Sequence, residues 1–228
     1  MPVSLEWRFL GRVPYLEAAA LQEATRESVR GGGPDTLLLL EHPHVYTLGR
    51  NADPAEIRTA RAALAARGIE VAATDRGGKV TYHGPGQLVG YPIVDLSRLD
   101  RRDVRSYVRD LQETLVRTLA DYGLAAEARD RPETGVWVTG KKIASLGVHI
   151  QRWVTTHGFA LNVTTDLSYF AGIVPCGLDG VEMASIESLT GRRPPLGEVA
   201  GQVAAHLGTV FGHFLPRAAP ERSDSRAG

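Results

Sequence analysis

The chain has 228 residues, of which 43% are hydrophobic, 23% charged and 7% aromatic, so its composition is that of a globular protein rather than a disordered, collagenous or coiled-coil one. Its 26 Lys and Arg balance 26 Asp and Glu, which argues against binding nucleic acid or an anionic membrane through overall charge. A single cysteine excludes an internal disulfide, and no apolar run approaches the roughly 20 residues of a membrane span. Since the N-terminal residues lack a signal-peptide pattern, we expect a soluble cytoplasmic protein with no nucleic-acid or membrane partner.

The hydrophobic pattern predicts helices and strands in mixed order along the chain. Helical spacing covers residues 14–29, 54–68, 104–119 and 197–214, and strand-like runs cover 36–40, 45–48, 69–74, 88–94, 135–138, 142–150 and 154–163. The last three strands follow one another closely, as in an antiparallel meander, and leave no room for crossover helices. An α+β fold with mixed, largely antiparallel sheets packed with helices is therefore favoured over a doubly wound fold.

No linker, repeat or low-complexity block interrupts residues 5–215, so we predict a single domain over 1–216. The final run, LPRAAPERSDSRAG, lacks apolar spacing and is rich in Pro, Ser and charge. This composition predicts a disordered tail over 217–228.

Residues 76–87, RGGKVTYHGPGQ, form the densest polar segment, with four glycines, two cations and one histidine. Backbone without side chains can approach a ligand closely, and its N–H groups suit carbonyl or phosphate oxygens. Glycine composition predicts two tight turns around a short strand equally well. The segment lacks the Gly-Lys-Ser/Thr of a phosphate-binding P-loop and is not a Rossmann fingerprint.

Cys176 stands in a Pro-Cys-Gly sequence. A lone cysteine is more often a small buried hydrophobe than a nucleophile, but flanking Pro and Gly predict a turn, where a thiol can be exposed. A nucleophilic cysteine needs a nearby base or cation to become a thiolate. The candidates are Lys142, His83, His149 and His157, although each histidine is also accounted for by an ordinary structural hydrogen bond.

Strand alternation distinguishes Lys142 from its neighbour Lys141. It predicts that Lys142 shares the more apolar face with Ala144 and Leu146, while Lys141 shares the other face with Ser145. An inward-facing lysine is costly without a partner and so points to function. The alternative is a bulge or strand end at Lys142 that lets the side chain reach water.

Arg101, Arg105 and Arg109 recur at four-residue steps on one predicted helix. Acidic residues are interspersed among them, so a solvated helix face is the default interpretation. The sharper hypothesis is a docking patch for an acidic protein partner.

Four motifs in order resemble the lipoyl(octanoyl) transferases over about 200 of the 228 residues: RGGKVTYHGPGQLVGYPIVDL, KKIASLGVHI, THGFALNV and IVPCGL. The resemblance implies the α+β fold of biotin and lipoate protein ligases. It also implies an enzyme of protein lipoylation that moves an octanoyl or lipoyl group from acyl carrier protein to a lysine ε-amine. The implied acceptors are the lipoyl domains of 2-oxoacid dehydrogenases and the glycine cleavage H protein, and no metal, cofactor or ATP is required.

Matched position by position, the resemblance makes Cys176 the acyl-accepting nucleophile and Lys142 the lysine that activates it. It assigns three segments to the acyl-substrate pocket: Arg76, Gly77, Gly78, Lys79, Val80, Thr81, Tyr82 and His83; Ser145, Leu146 and Gly147; and Gly158, Phe159 and Ala160.

Three other functions stay open from the residues alone. An ATP-dependent biotin or lipoate ligase shares the fold but needs no cysteine nucleophile. A cysteine hydrolase would use water as the acceptor, and a non-catalytic binder of acyl carrier protein would form no acyl-enzyme.

Overall fold

The computed structural model describes residues 4–99, 103–174 and 180–212. Three sequence predictions fall outside these residues: the disordered tail over 217–228, the turn that carries Cys176, and the position of Arg101.

Ten strands and five α-helices make up the described chain. In chain order they are β1 (Leu5–Arg12), α1 (Tyr15–Arg30), β2 (Asp35–Glu41), β3 (Val45–Leu48), α2 (Arg61–Ala66), β4 (Glu70–Ala73), β5 (Val80–His83), β6 (Gln87–Ile93), α3 (Val104–Ala120), β7 (Ala126–Arg129), β8 (Gly135–Val138), β9 (Lys141–Gln151), β10 (Val154–Asn162), α4 (Ile186–Thr190) and α5 (Leu196–Phe211). Two 3₁₀ helices, Pro54–Glu56 and Leu167–Gly172, complete the set.

The strands form two sheets. The large sheet has the order β1-β2-β6-β10-β9-β8-β7, and the small sheet has the order β4-β3-β5. Only the β1–β2 and β3–β4 pairs are parallel. The predicted α+β fold with mixed, largely antiparallel sheets is therefore confirmed, including the meander of β8, β9 and β10.

Hydrophobic packing covers both faces of the large sheet. On one face α3 and α5 bury the largest cluster, because the apolar residues of α3 recur on one side of that helix. On the other face α1 packs over a second cluster that includes Leu38, Val89 and Ala160. The small sheet lies on this second side, where Val45 and Ala72 contact Tyr15 of α1. The space between the two sheets is the place where a site can form.

The prediction of a helix over 54–68 is wrong for the first half of that range. Asp53 accepts a hydrogen bond from the Ala55 amide and starts only the single 3₁₀ turn Pro54–Glu56. Ile57 then adopts an extended conformation and forms a β-bridge with Ile173, so α2 begins later, at Arg61. A contact with a distant segment thus overrides local helix propensity.

The other predicted helices and strands lie within a few residues of the observed ones, but β1, β7 and α4 were not predicted, and β5 was predicted only as the short strand between two turns in residues 76–87. β1 and β7 are the edge strands of the large sheet. β1 alternates apolar and polar residues from Leu5 to Phe9, which is the local signal of a half-buried strand, whereas β7 has four residues and alternates only alanine with charged residues. Among the helices that the structure describes, none combines the length and apolarity needed to cross a bilayer.

Candidate active site

Lys142 points to a different face of β9 from the one that simple alternation predicts. Val136 pairs with Ala144, but the next residue of β8, Trp137, pairs with Lys142, which leaves Ile143 as an extra residue on β9. Such a bulge interrupts the alternation of side chains. The prediction that Lys142 shares a face with Ala144 and Leu146 is therefore wrong, because the register places it on the face of Ser145 and Gly147.

The bulge does not let the lysine reach water, since the residue is only 1% exposed. Its Nζ donates a hydrogen bond of 2.9 Å to the carbonyl oxygen of Thr134 and lies 5.6 Å from the centre of the Trp137 ring. A Cβ atom on Gly135 would lie 2.5 Å from Lys142 Cε. The amine thus occupies space that exists because residue 135 has no side chain.

The backbone of Lys142 is held by residues 182–184, which follow the cysteine-bearing stretch. Its amide donates to Glu182 O at 2.8 Å, and its carbonyl accepts from the Ala184 amide at 2.8 Å. A bridge between Lys142 and Met183 runs parallel to β9. The segment leaving the cysteine-bearing stretch is therefore anchored directly on Lys142.

Arg76 is buried where the small sheet faces the large one. Its Nη2 donates at 2.8 Å to both the carbonyl and the hydroxyl oxygen of Thr47, and its Nη1 donates to Gly77 O at 3.1 Å. The Gly77 amide donates to Val148 O of β9 at 2.9 Å. Arg76 and Gly77 thus join the two sheets at the Gly147 end of the site.

Glycines make this close approach of backbones possible. A Cβ on Gly147 would lie 2.8 Å from Gly77 O, and one on Gly158 would lie 2.4 Å from Gly90 O. Gly147 and Gly158 face each other across β9 and β10. Gly78 meets Gly49 in the same way, because a Cβ on Gly49 would lie 2.4 Å from Gly78 O. The predicted pocket residues Gly77, Gly147 and Gly158 therefore lie together.

The remaining residues of the Arg76–His83 segment divide between two environments. Thr81 pairs with Thr47, so Thr81 and His83 share the side of β5 on which Arg76 lies. Val80 and Tyr82 pack on the other side of β5, in the hydrophobic cluster of the small sheet.

His83 is fully enclosed and hydrogen-bonded to Gln87. Its Nδ1 lies 2.8 Å from Gln87 Oε1, and its Nε2 lies 3.4 Å from Thr47 Oγ1. Burial, with a smaller contribution from neighbouring His42, holds the pKa of His83 well below its usual value. The ring is neutral at physiological pH, so its hydrogen bonds are those of a neutral imidazole.

The predicted pocket residues on β9 and β10 also divide by face. Ser145 pairs with Ala160 on the face that carries Gly147, beneath α1 and the small sheet. Leu146 and Phe159 pair with each other and pack into the cluster under α3 and α5. Their side chains belong to the core on the opposite face of the sheet.

His149 and His157, both weighed as bases for the cysteine, converge instead on Asp75. His157 Nε2 lies 2.7 Å and His149 Nε2 lies 3.6 Å from the Asp75 carboxylate. Burial lowers the pKa of His157, although the hydrogen bond to Asp75 opposes that effect. Burial raises the pKa of Asp75, but the hydrogen bond from His157 and the nearby histidines outweigh it and lower the pKa overall.

Several residues that shape the site escaped sequence reasoning. Thr47, Asp75 and Thr134 make their contacts with partners that are distant along the chain or through backbone atoms. Asp75 had one available signal, its position next to Arg76 at the start of the glycine-rich segment. No group of three or more His, Cys, Asp or Glu side chains is spaced to hold a metal ion within residues 4–99, 103–174 and 180–212.

The arginine stripe on α3 is described only in part. Arg109 forms an exposed ion pair of 3.2 Å with Asp130, and the Arg105 amide takes part in the N-cap of the helix with Asp103. The pairing of Arg109 favours the solvated-face interpretation at that position without testing the docking hypothesis.

Comparison with known proteins identifies the family. The model of the lipoyl protein ligase A/B catalytic domain matches residues 14–208. The chain belongs to this family. It is 52% identical over 205 residues to an octanoyltransferase of Solibacter usitatus, covering 90% of this chain and 91% of that protein. It is also 45% identical over 210 residues to an octanoyltransferase of Geobacter metallireducens, covering 92% and 94%. The predicted membership in the family is therefore confirmed.

Solved structures of lipoate and biotin protein ligases share the fold. A bipartite lipoate protein ligase of Thermoplasma acidophilum superposes with a TM-score of 0.72 at 19% identity, covering 97% of this chain and 88% of that one. A biotin protein ligase of Aquifex aeolicus superposes with a TM-score of 0.52 at 12% identity, covering 93% and 70%. The predicted biotin/lipoate protein ligase-like architecture is confirmed.

Proposed function

We propose that this member of the lipoyl protein ligase family is an octanoyltransferase that works through a thioester on Cys176. The observation that carries the proposal is Lys142, a buried lysine on the same face of the sheet as Ser145 and Gly147, with its backbone anchored to the segment that follows the cysteine. The names of the relatives at 45–52% identity favour a transferase over a ligase.

In the first step the Cys176 thiolate attacks the carbonyl carbon of an octanoyl thioester. A new carbon–sulfur bond forms to Sγ while the bond to the donor sulfur breaks, and the donor leaves as a thiol. The cysteine proton passes to Lys142 and then to the leaving sulfur. Because one thioester replaces another, this step is close to balanced in energy and needs no ATP.

In the second step the ε-amine of an acceptor lysine attacks the acyl-enzyme. An amide bond forms as the bond to Sγ breaks, and the amine proton returns to the cysteine by way of Lys142. An amide is more stable than a thioester, so this step drives the reaction. The general-base role requires an amine that can give up its proton, which arginine cannot do near neutral pH.

The surroundings of Lys142 support this role. Thr134 O fixes the position of Nζ, and the absence of a side chain at Gly135 leaves room for the amine. The Trp137 ring excludes water from one side of it. An amine that is fixed by a hydrogen bond and shielded from water keeps its position through repeated proton transfers.

Glycines at and beside the contact between the two sheets support an acyl-binding role for this region. Gly77, Gly147 and Gly158 bring backbone N–H and C=O groups close together without side chains. Backbone N–H groups at such a place can stabilise the oxyanion formed at the thioester carbonyl, but not that of Gly77, which already donates to Val148 O. Arg76, Thr81 and His83 line the adjoining polar side.

The donor that we propose is octanoyl-acyl carrier protein, and the acceptors are the lipoyl domains of 2-oxoacid dehydrogenases and the glycine cleavage H protein. A cytoplasmic location belongs to the same proposal, because a catalytic thiol needs a reducing compartment.

Intact-mass measurement after mixing with octanoyl carrier protein tests donor and nucleophile together. We expect one octanoyl group on the wild-type chain, removable by hydroxylamine, and none on Cys176→Ala. An adduct that persists in Cys176→Ala would refute the assignment of the nucleophile.

A second assay separates transferase from ligase. Lipoyl-domain modification should proceed from the octanoyl thioester without ATP or Mg²⁺, and free octanoate should be used negligibly even with both present. Robust ATP-dependent use of free octanoate or lipoate that survives Cys176→Ala would show that the chain is a ligase.

A further inference from the structure

Glu56 lies between two segments of the proposed site that are far apart in sequence. It ends the single 3₁₀ turn Pro54–Glu56, which Asp53 caps through the Ala55 amide. Its side chain is 11% exposed, and Oε1 lies 2.6 Å from Lys79 Nζ. Lys79 belongs to the glycine-rich segment that crosses from the small sheet to the large one.

The backbone around Glu56 holds the chain that enters the cysteine-bearing stretch. Glu56 O accepts a hydrogen bond of 2.8 Å from the Val174 amide, and Gly172 O accepts one of 2.9 Å from the Arg58 amide. Between them Ile57 and Ile173 form an antiparallel bridge. This short pairing holds residues 172–174, which come directly before the cysteine-bearing stretch, against Glu56 and Arg58.

The Lys79 side of the contact is equally well defined. Lys79 O accepts a hydrogen bond of 3.2 Å from the Gly49 amide, and Gly78 O accepts one of 3.1 Å from the Asn51 amide. The hydrogen bond and charge of Glu56 raise the pKa of Lys79, which keeps this side chain positively charged. Backbone hydrogen bonds thus hold Lys79 against residues 49–51, while its side chain forms the ion pair with Glu56.

The second oxygen of Glu56 has an unusual environment. Oε2 is buried and finds no hydrogen-bond partner among residues 4–99, 103–174 and 180–212. Burying a carboxylate oxygen without a partner costs stability. A carboxylate buried at such a cost is better explained by its contacts with two segments of the site than by packing.

We propose that Glu56 is a positioning residue that holds the Arg76–His83 segment, through Lys79, against residues 172–174, which precede Cys176 in the chain. Glu56 acts through Lys79 and Val174, and keeps the pocket wall in register with the chain that leads to the nucleophile. The proposal rests on the proposed function, because it takes Cys176 as the acyl acceptor.

The test measures the rate of acyl-enzyme formation from an octanoyl thioester in Glu56→Gln, Lys79→Gln and the double variant. Loss of alignment at a reacting centre costs rate steeply, so we expect each single variant to lower the maximal rate about tenfold. The double variant should be no slower than either single one, because both remove the same contact. The charge-swapped pair Glu56→Lys with Lys79→Glu should recover to within about threefold of wild type.

Glu113→Gln is the matched control. Glu113 pairs with Arg117 at 2.7 Å on α3, the helix that covers the opposite face of the large sheet, and the two side chains are 48% and 46% exposed. An exposed ion pair contributes little, so we expect a change of less than about twofold. A loss equal to that of Glu56→Gln would overturn the proposal, since removing any surface carboxylate would then have the same effect.

The remaining outcomes are equally decisive. If the double variant slows acyl-enzyme formation by the product of the two single effects, the residues act independently and the pairing is refuted. The pairing is also refuted if the loss of rate in each variant parallels its loss of melting temperature. Should Glu56→Gln fail to fold, Lys79→Gln carries the same comparison from the more exposed side. If the wild type forms no acyl-enzyme, the proposed function fails; if it does and Glu56→Gln matches it, only the positioning role fails.

Discussion

Replacing Lys142 by arginine should abolish most of the activity, whereas the same change at Lys141 should be mild. Arginine keeps the positive charge but cannot accept a proton near neutral pH. It is also larger, and the space at Lys142 is already so tight that a single Cβ on Gly135 would lie 2.5 Å from Cε. Lys141 lies in a half-exposed ion pair with Glu182, which arginine can keep.

The expected magnitudes differ by at least an order of magnitude. A positioned general base contributes a factor of about 10² to 10⁴, or about 3 to 5 kcal/mol of activation free energy. We therefore expect Lys142→Arg to slow acyl-enzyme formation by about 10²-fold or more. The exposed pair at Lys141 is worth about 1 kcal/mol at most, and its conservative replacement should change the rate by less than about twofold.

The assay is a single turnover of enzyme with excess octanoyl thioester, followed by intact mass over time. Lys142→Met serves as the companion variant, because it removes the amine while keeping a similar chain length, and both proteins are checked by thermal melting. Equal rates for folded Lys142→Arg and Lys141→Arg would refute the assignment of the base. So would a folded Lys142→Met that keeps more than about a tenth of the wild-type rate.

Three further predictions concern pH, the glycine contact and the arginine stripe. Burial lowers the pKa of His42 from 6.5 to about 4, so the unfolded chain takes up a proton between these pH values and the folded one does not. The free energy of unfolding therefore has its full value above about pH 6.5 and is about 2 kcal/mol lower at pH 5. His42→Gln should flatten this pH dependence of the free energy of unfolding, measured by denaturant titration. A pH dependence equal to that of the wild type would contradict the prediction. Gly147→Ala places a Cβ 2.8 Å from Gly77 O and should raise KM for the octanoyl donor several-fold, whereas Gly201→Ala on α5, where a Cβ meets nothing within 4 Å, should leave KM unchanged. Equal KM values for the two alanine variants would show that the close approach at Gly147 does not shape the pocket. Neutralising Arg101, Arg105 and Arg109 together should raise KM for carrier-bound donor and spare a small thioester, and an unchanged KM would return the stripe to a solvated face.

The parts of the fold that could be predicted are those whose information is local. The apolar residues of α3 recur at helical spacing, and that helix begins at the predicted residue, with Asp103 as its cap. The meander of β8, β9 and β10 follows from short turns between apolar runs. By contrast the Ile57–Ile173 bridge joins residues more than a hundred positions apart, and nothing in the local sequence indicates it.

For Lys142 the sequence predicts the wrong face of β9, while its role as the base stays a proposal. Alternation was applied across Ile143, where the strand carries an extra residue, and so assigned Lys142 to the side of α3 and α5. The side chains on that side are mostly apolar, although the buried residues of α3 include Gln112. The bulge instead places Lys142 on the face of Ser145 and Gly147, and its amine donates a hydrogen bond to Thr134 O. One inserted residue therefore decides which face of β9 carries the base that we propose.

The glycine-rich segment illustrates why composition alone left two interpretations equally open. Three of its carbonyl groups, at Arg76, Gly78 and Lys79, accept hydrogen bonds from the amides of residues 50, 51 and 49 respectively, and the Gly77 amide donates to β9. Several of its backbone groups are thus used within the protein, as the turn interpretation expects. The same bonds bring the segment so close to Gly49 and Gly147 that side chains would collide. Glycine is needed here for the contact between the two sheets, and Gly77 and Gly147, which make that contact, belong to the acyl pocket that we propose.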